Sequence, residues 1–200
     1  EDLLLAAYLT PKRPDTEARV PTTEHLLAAL TGKPIDEAIV EAARQTARAH
    51  HVLHWREAFA HVFARGGFDC VLGNPPWKRV KLQEQKFFAS RAPDVANAGN
   101  KAERARAIAA LQRAPAGSPE RCLYDAFKTA KRAAEAASAF VHDGLRYPLS
   151  GVGDVNTYPL FAETALALCA AHGRAGIIVP SGVATDDSTK AFFSHIADGR

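Results

Sequence analysis

Gly66-Gly67-Phe68-Asp69-Cys70-Val71-Leu72-Gly73-Asn74-Pro75-Pro76-Trp77 lies just upstream of the middle of the chain. The paired glycines form a stop for any helix that precedes them. Phe68 to Gly73 is a short, continuous apolar run of the kind that parallel sheets bury on both faces. The run halts at an asparagine, two prolines and an aromatic, which places specific groups on a rigid turn. Asn74 offers a side-chain carbonyl as acceptor. Proline has no backbone N–H to donate and a fixed φ, so its carbonyl is left to face a ligand. Trp77 adds a flat apolar face suited to stacking on a nucleobase. Together these groups suit an exocyclic amine attached to a flat ring.

Upstream, the pattern is helical. Asp2 to Tyr8 reads as a short apolar helix ended by Pro11 and Pro14. Thr22 or Thr23 caps a helix to about Leu30, broken by Gly32-Lys33-Pro34. Ile35 to about His51 is amphipathic, and Trp55 to Phe63 is a second amphipathic helix, with Phe59 and Phe63 four apart. Downstream, residues 82–143 read as a helical insertion: Leu82 to Ser90, Lys101 to Arg113, and Glu120 to about Val141. Its breaks fall at Pro93-Asp94 with Asn97–Asn100, and at Pro115–Pro119. Tyr147 to Gly153 is a loop. Asn156 caps a helix reaching Ala171, with Leu160, Phe161, Ala165, Leu168 and Cys169 on its buried face and His172-Gly173 at its end. Ala175 to Val179 is a second buried strand, stopped by Pro180-Ser181-Gly182. A last helix runs from about Ser188 to Ile196, capped by Asp186 or Asp187.

Strand, long crossover and second strand make a right-handed α/β unit, whose ligands bind at the carboxyl ends of the strands. Asn74 and Ser181 then fall side by side. The expected organisation is a helical lead-in over 1–65, an α/β core over 66–82 and 144–200, and a basic helical insertion over 83–143.

The chain has 200 residues, enough for one domain with a real core, and a net charge of only +3. That charge is uneven: thirteen basic residues lie between Lys78 and Arg132 against five acids. A basic excess beside the turn is where a polyanion is expected, although Ala/Arg-rich composition also describes well-solvated helices. Three cysteines (Cys70, Cys122, Cys169) without paired spacing argue for a reducing, cytoplasmic setting and against a disulfide scaffold. No zinc-binding spacing occurs. His50 and His54 can share a helix face, but no third ligand accompanies them, so no metal is assigned. No apolar stretch reaches the ~18–20 residues of a membrane span, and no signal peptide is visible. The absence of Met and the opening on Glu1 suggest an excerpt of a longer protein. Gly151-Val152-Gly153 is a lone Gly-x-Gly after a proline-interrupted stretch, and reads as a connecting loop. No Pro-Cys pair is present to act as a cytosine-C5 nucleophile, so Cys70 reads as a core residue.

The turn Asn74-Pro75-Pro76-Trp77 resembles motif IV of the amino-methyltransferases, (Asn/Asp/Ser)-Pro-Pro-(Tyr/Phe/Trp). With Gly66–Gly73 before it, and with Gly153-Asp154-Val155-Asn156-Thr157-Tyr158-Pro159-Leu160-Phe161-Ala162-Glu163 and Gly173-Arg174-Ala175-Gly176-Ile177-Ile178-Val179-Pro180-Ser181-Gly182 after it, the chain resembles the N6-adenine-specific DNA methyltransferases of large restriction–modification proteins. The resemblance covers roughly residues 54–82 and 144–196. It implies part of a Rossmann-like class I methyltransferase sheet, the two parallel strands being the fourth and fifth.

The resemblance also implies methyl transfer from S-adenosylmethionine to the N6 amine of a flipped-out adenine in DNA, within a restriction–modification or phage-defence protein. The implied catalytic residues are Asn74, Pro75 and Trp77: two carbonyls take the amine hydrogens and the indole holds the base. Gly73, Asn74 and Pro76 are the implied cofactor contacts, and Trp77, Lys78, Arg79 and Lys81 the implied DNA contacts. The implied partners are double-stranded DNA and the remaining domains of the same polypeptide, with no membrane. The glycine-rich cofactor motif is expected upstream of Glu1, so the excerpt alone should bind cofactor poorly and not turn over. RNA amines or a protein glutamine side chain are alternative substrates for such a turn. A non-catalytic DNA-binding module of a defence complex is the alternative outside enzymes, and the intact Asn-Pro-Pro-Trp speaks against it.

Overall fold

Residues 1–199 are described by the computed structural model. In chain order, helices α1 (Asp2–Leu9), α2 (Thr23–Leu30), α3 (Glu37–Ala49), α4 (Trp55–Ala58) and α5 (Ala60–Phe63) lead to strand β1 (Phe68–Gly73). Then follow α6 (Glu84–Phe88), α7 (Pro93–Ala96), α8 (Lys101–Arg113) and α9 (Pro119–Asp143). The chain closes with α10 (Thr157–Leu168), strand β2 (Cys169–Ile177), α11 (Gly182–Thr185) and α12 (Lys190–Ala197). Two compact bodies result: residues 1–78 with those from Ala137 onward, and Arg79–Ala136. The helical lead-in therefore shares a body with the strand pair. Among the described residues no helix is long and apolar enough to cross a membrane.

In the first body, α3 begins where Asp36 Oδ1 accepts the Ala38 N–H at 2.9 Å, satisfying one of the donors a helix start leaves open. α1 packs on α3, burying Ala6 on one and Ile39, Ala43 and Ala47 on the other. Small side chains let these two axes approach closely. The helix expected over Trp55–Phe63 is instead two short pieces, α4 and α5, because Phe59 leaves helical geometry at φ −121°, ψ 40°. The break serves an aromatic cluster. Trp55, Phe59 and Phe63 all meet the Phe68 ring edge-on, at centroid distances of 6.0, 5.4 and 5.7 Å. Each such contact adds about 0.5–1.5 kcal/mol beyond area burial. Tertiary packing overrides local helix propensity here.

β1 and β2 run parallel, with Cys70 opposite Arg174 and Gly73 opposite Ile177. The second strand starts six residues earlier than the expected Ala175 and ends two before Val179. Correspondingly, α10 stops at Leu168, short of Ala171. The cause lies in backbone contacts. A Cβ on Gly67 (φ +126°) would stand 2.7 Å from the Leu168 carbonyl, and one on Gly173 would stand 2.5 Å from that of Phe68. These close approaches pull Cys169 onward into the ladder, and the register slips between Phe68 and Cys70. His172-Gly173, expected to end a helix, lie inside a bulged strand.

β1 was expected to be buried on both faces, and it is not: Leu72 is 77% exposed and Cys70 is open. Among the described residues β1 has a single strand neighbour, so its other edge stays free. α10 packs against both strands and buries Tyr158, Leu160, Ala165 and Leu168. Phe161, expected on that buried face, is 49% exposed.

The second body has its own core of Phe88, Val95, Ala96 and Phe127, with Leu82, Phe87, Ile108 and Leu123 packed against it. Asn100 Oδ1 caps α8 through the Glu103 N–H at 2.9 Å, and Glu103 returns a bond to the Gly99 N–H at 3.0 Å. Pro93-Asp94, expected as a break, opens the short α7 because proline is tolerated in the first helical turn.

Candidate active site

β1 delivers the turn. The Ile178 N–H donates to the Gly73 carbonyl at 3.0 Å, so the chain stays in the ladder up to the residue before Asn74. Past that point Pro75 and Pro76 have no N–H with which to continue. Two ties from elsewhere hold the turn instead. The first residue of α10, Thr157, donates its N–H to the Lys78 carbonyl at 2.8 Å and accepts the Lys78 N–H on Oγ1 at 3.0 Å. Its hydroxyl in turn donates to the Pro76 carbonyl. The second tie is the Trp77 indole N–H, which donates to the Ile178 carbonyl at 3.3 Å.

Asn74 is exposed, and among the described residues neither its side-chain amide nor the Pro75 carbonyl makes a hydrogen bond. Both residues line a cavity of about 530 Å³, along with Gly73 and Pro76. Trp55, Phe68 and Phe161 supply its aromatic walls, and among the described residues no charged side chain lines it. The volume suits a nucleobase-sized group. Trp77, expected to hold the base here, does not line this cavity; it is 52% exposed, and its indole N–H is held at the Ile178 carbonyl just past β2.

The residues expected as site groups thus divide three ways. Gly73, Asn74, Pro75 and Pro76 converge on the cavity, with the Pro76 carbonyl taken internally by Thr157. Trp77 and Lys78 flank it on the same body. Arg79 and Lys81 are exposed residues of the second body.

Sequence reasoning missed Thr157 as the tether and Phe161 as a cavity wall. Asn156 does occupy the N-cap of α10, but its side chain makes no capping bond. The neighbouring threonine was the more telling signal, since a hydroxyl in a helix's first turn is free to bond elsewhere.

The loop before α10 is fixed from below. Glu163, buried, accepts the Leu149 and Ser150 N–H groups at 3.1 and 2.9 Å and the Ser150 hydroxyl at 2.5 Å. His142 Nδ1 meets the Gly151 carbonyl at 2.7 Å, so Gly151-Val152-Gly153 is a tied connecting loop. Burial raises the Tyr158 phenol pKa, and the Asp186 carboxylate 3.5 Å away raises it further. Burial, then the neighbouring Cys70, raises that of Cys169. His54 is engaged at the N-terminus of α1, with Nδ1 2.7 Å from Glu1 Oε2 and Nε2 2.5 Å from Asp2 Oδ1.

Residues 9–107 match the profile of the Eco57I restriction-modification methylase family. The matched span contains β1 and the whole Asn74–Trp77 turn. It supports a methylase of a restriction–modification system, and with it a DNA methyltransferase activity. No curated protein and no solved structure matches the chain.

Proposed function

We propose that this chain carries the amine-recognition turn of an S-adenosylmethionine-dependent N6-adenine DNA methyltransferase, acting on double-stranded DNA. One observation carries the reading: Asn74 and Pro75 line an uncharged cavity side by side, and among the described residues the Asn74 amide and the Pro75 carbonyl have no hydrogen-bond partner. An adenine N6 amine is a weak nucleophile because its lone pair is delocalised into the ring. Asn74 Oδ1 and the Pro75 oxygen accept its two hydrogens, which localises the lone pair and orients it. The target base must leave the duplex to reach them. Trp77 lies outside that cavity and so does not hold the same base; Lys78, Arg79 and Lys81 are cations for phosphates.

Gly73, Asn74 and Pro76 would line one side of a bound cofactor, which supplies the methyl group. The uncharged wall fits the flat, apolar part of such a group. Among the described residues that line this cavity none is a carboxylate suited to ribose hydroxyls.

The test is methyl incorporation into unmethylated duplex DNA by the full-length protein, with single-stranded RNA and protein as parallel substrates. Asn74→Ala should reduce transfer to duplex adenine by at least 10²-fold, the order seen when an electrostatic donor or acceptor of a transition state is lost. Duplex affinity should be nearly unchanged. Wild-type transfer by the variant, or transfer confined to RNA or protein, overturns the proposal.

A further inference from the structure

We infer that Thr157 is the positioning residue of the Asn-Pro-Pro-Trp turn: its hydroxyl closes the Pro76 carbonyl and leaves that of Pro75 as the turn's unpaired prolyl acceptor among the described residues. The inference rests on the reading of the turn given above.

The turn is poor in internal bonds. Two consecutive prolines remove two donors, and the ladder with β2 ends at Gly73 and Ile178. Two prolyl carbonyls are left with no local donor. If both remained open, an incoming amine would meet two similar acceptors one residue apart, and its orientation would be ambiguous. Thr157 resolves this with one side chain and one N–H. Its O–H occupies the Pro76 carbonyl, its Oγ1 takes the Lys78 N–H at 3.0 Å, and its own N–H meets the Lys78 carbonyl at 2.8 Å. That N–H is one of those a helix start leaves without an intrahelical partner, so α10 gives the turn a donor it does not need itself. The bonds fall on both sides of Trp77. With the indole N–H on Ile178, they fix the ring at backbone and edge.

Serine retains the hydroxyl geometry, whereas valine keeps the shape of threonine without a donor or acceptor. This pair separates the hydroxyl from its packing. With Trp55 replaced by Phe, Trp77 is the sole tryptophan, and its fluorescence anisotropy and acrylamide quenching can be read on the chain itself without turnover. Thr157→Val should lower the anisotropy and raise the quenching, while Thr157→Ser should match the parent. In the full-length enzyme, Thr157→Val should lower kcat about tenfold, as for the loss of one or two hydrogen bonds, with KM for DNA little changed. Should valine at the first helical position prevent folding, Thr157→Ala gives the same comparison.

An unchanged Trp77 signal in Thr157→Val overturns the inference. So does equal loosening in the Ser and Val variants, or a loosened Trp77 with a wild-type kcat. Asn74→Ala leaves all three Thr157 bonds in place. Loss of transfer there without a fluorescence change tests the amine-recognition reading separately from the tether.

Discussion

His54 links charge to folding at a single residue. Its ring lies between Glu1 and Asp2, and its side chain is 16% exposed. Burial by itself would lower its pKa, but the hydrogen bond and charge of Asp2, followed by those of Glu1, outweigh burial and raise it. A folded-state pKa above the unfolded one means that the protonated ring stabilises the native state. That stabilisation is complete below the unfolded value of about 6.5 and is lost as pH rises through the folded value. Thermal unfolding followed between about pH 5.5 and 8.5 should therefore show Tm falling on the alkaline side, and the slope should flatten in His54→Gln. An identical profile for the variant would exclude the carboxylate pair as the source. From sequence alone His54 stood only as the companion of His50 on a helix face, because its partners lie more than fifty positions away in the chain.

Elements were legible where the signal is local. The caps and breakers of α2, α3 and α8 place those helices within a residue or two, and β1 matches its apolar run. The misreadings occur where a distant backbone decides. Cys169-Ala170-Ala171 has helical composition, yet it pairs with β1 because Gly67 and Gly173 let the strands close to contact. Likewise, the helical pattern of Trp55–Phe63 yields to the cluster around Phe68. That ring joins α4 and α5 to the start of β1, so Phe68→Ala should destabilise the first body by about 2–4 kcal/mol. Phe68 is only half-buried, which holds the loss to the lower part of what a fully buried Phe costs, or a little under it. Phe68→Leu should recover much of the loss. Urea denaturation measures both, and a loss under about 1 kcal/mol for Phe68→Ala would mean the rings contact each other without holding the elements together.

At the scale of the whole molecule, charge and core divide along the same line. Arg79–Ala136 holds twelve Lys and Arg against six Asp and Glu, while the whole chain is only +3. The sequence reading sets a basic helical insertion at residues 83–143, whereas the second body is Arg79–Ala136 and α9 runs without a break from Pro119 to Asp143. Composition could not reveal that the insertion has a core of its own. Phe88 is fully buried there, its ring 5.0 Å from that of Phe127. Removing it leaves a cavity in a body of fewer than sixty residues, where about 3–5 kcal/mol is a large part of the available stability. Phe88→Ala should therefore collapse amide-exchange protection across α8 and the Pro119–Ala136 part of α9. Amides in β1 and β2 should keep most of theirs, since their bonds belong to the other body. Hydrogen exchange read by mass spectrometry resolves the two. Equal loss in both sets of amides would show that the bodies unfold as one cooperative unit, and that the insertion's core stabilises the strand pair as well as itself.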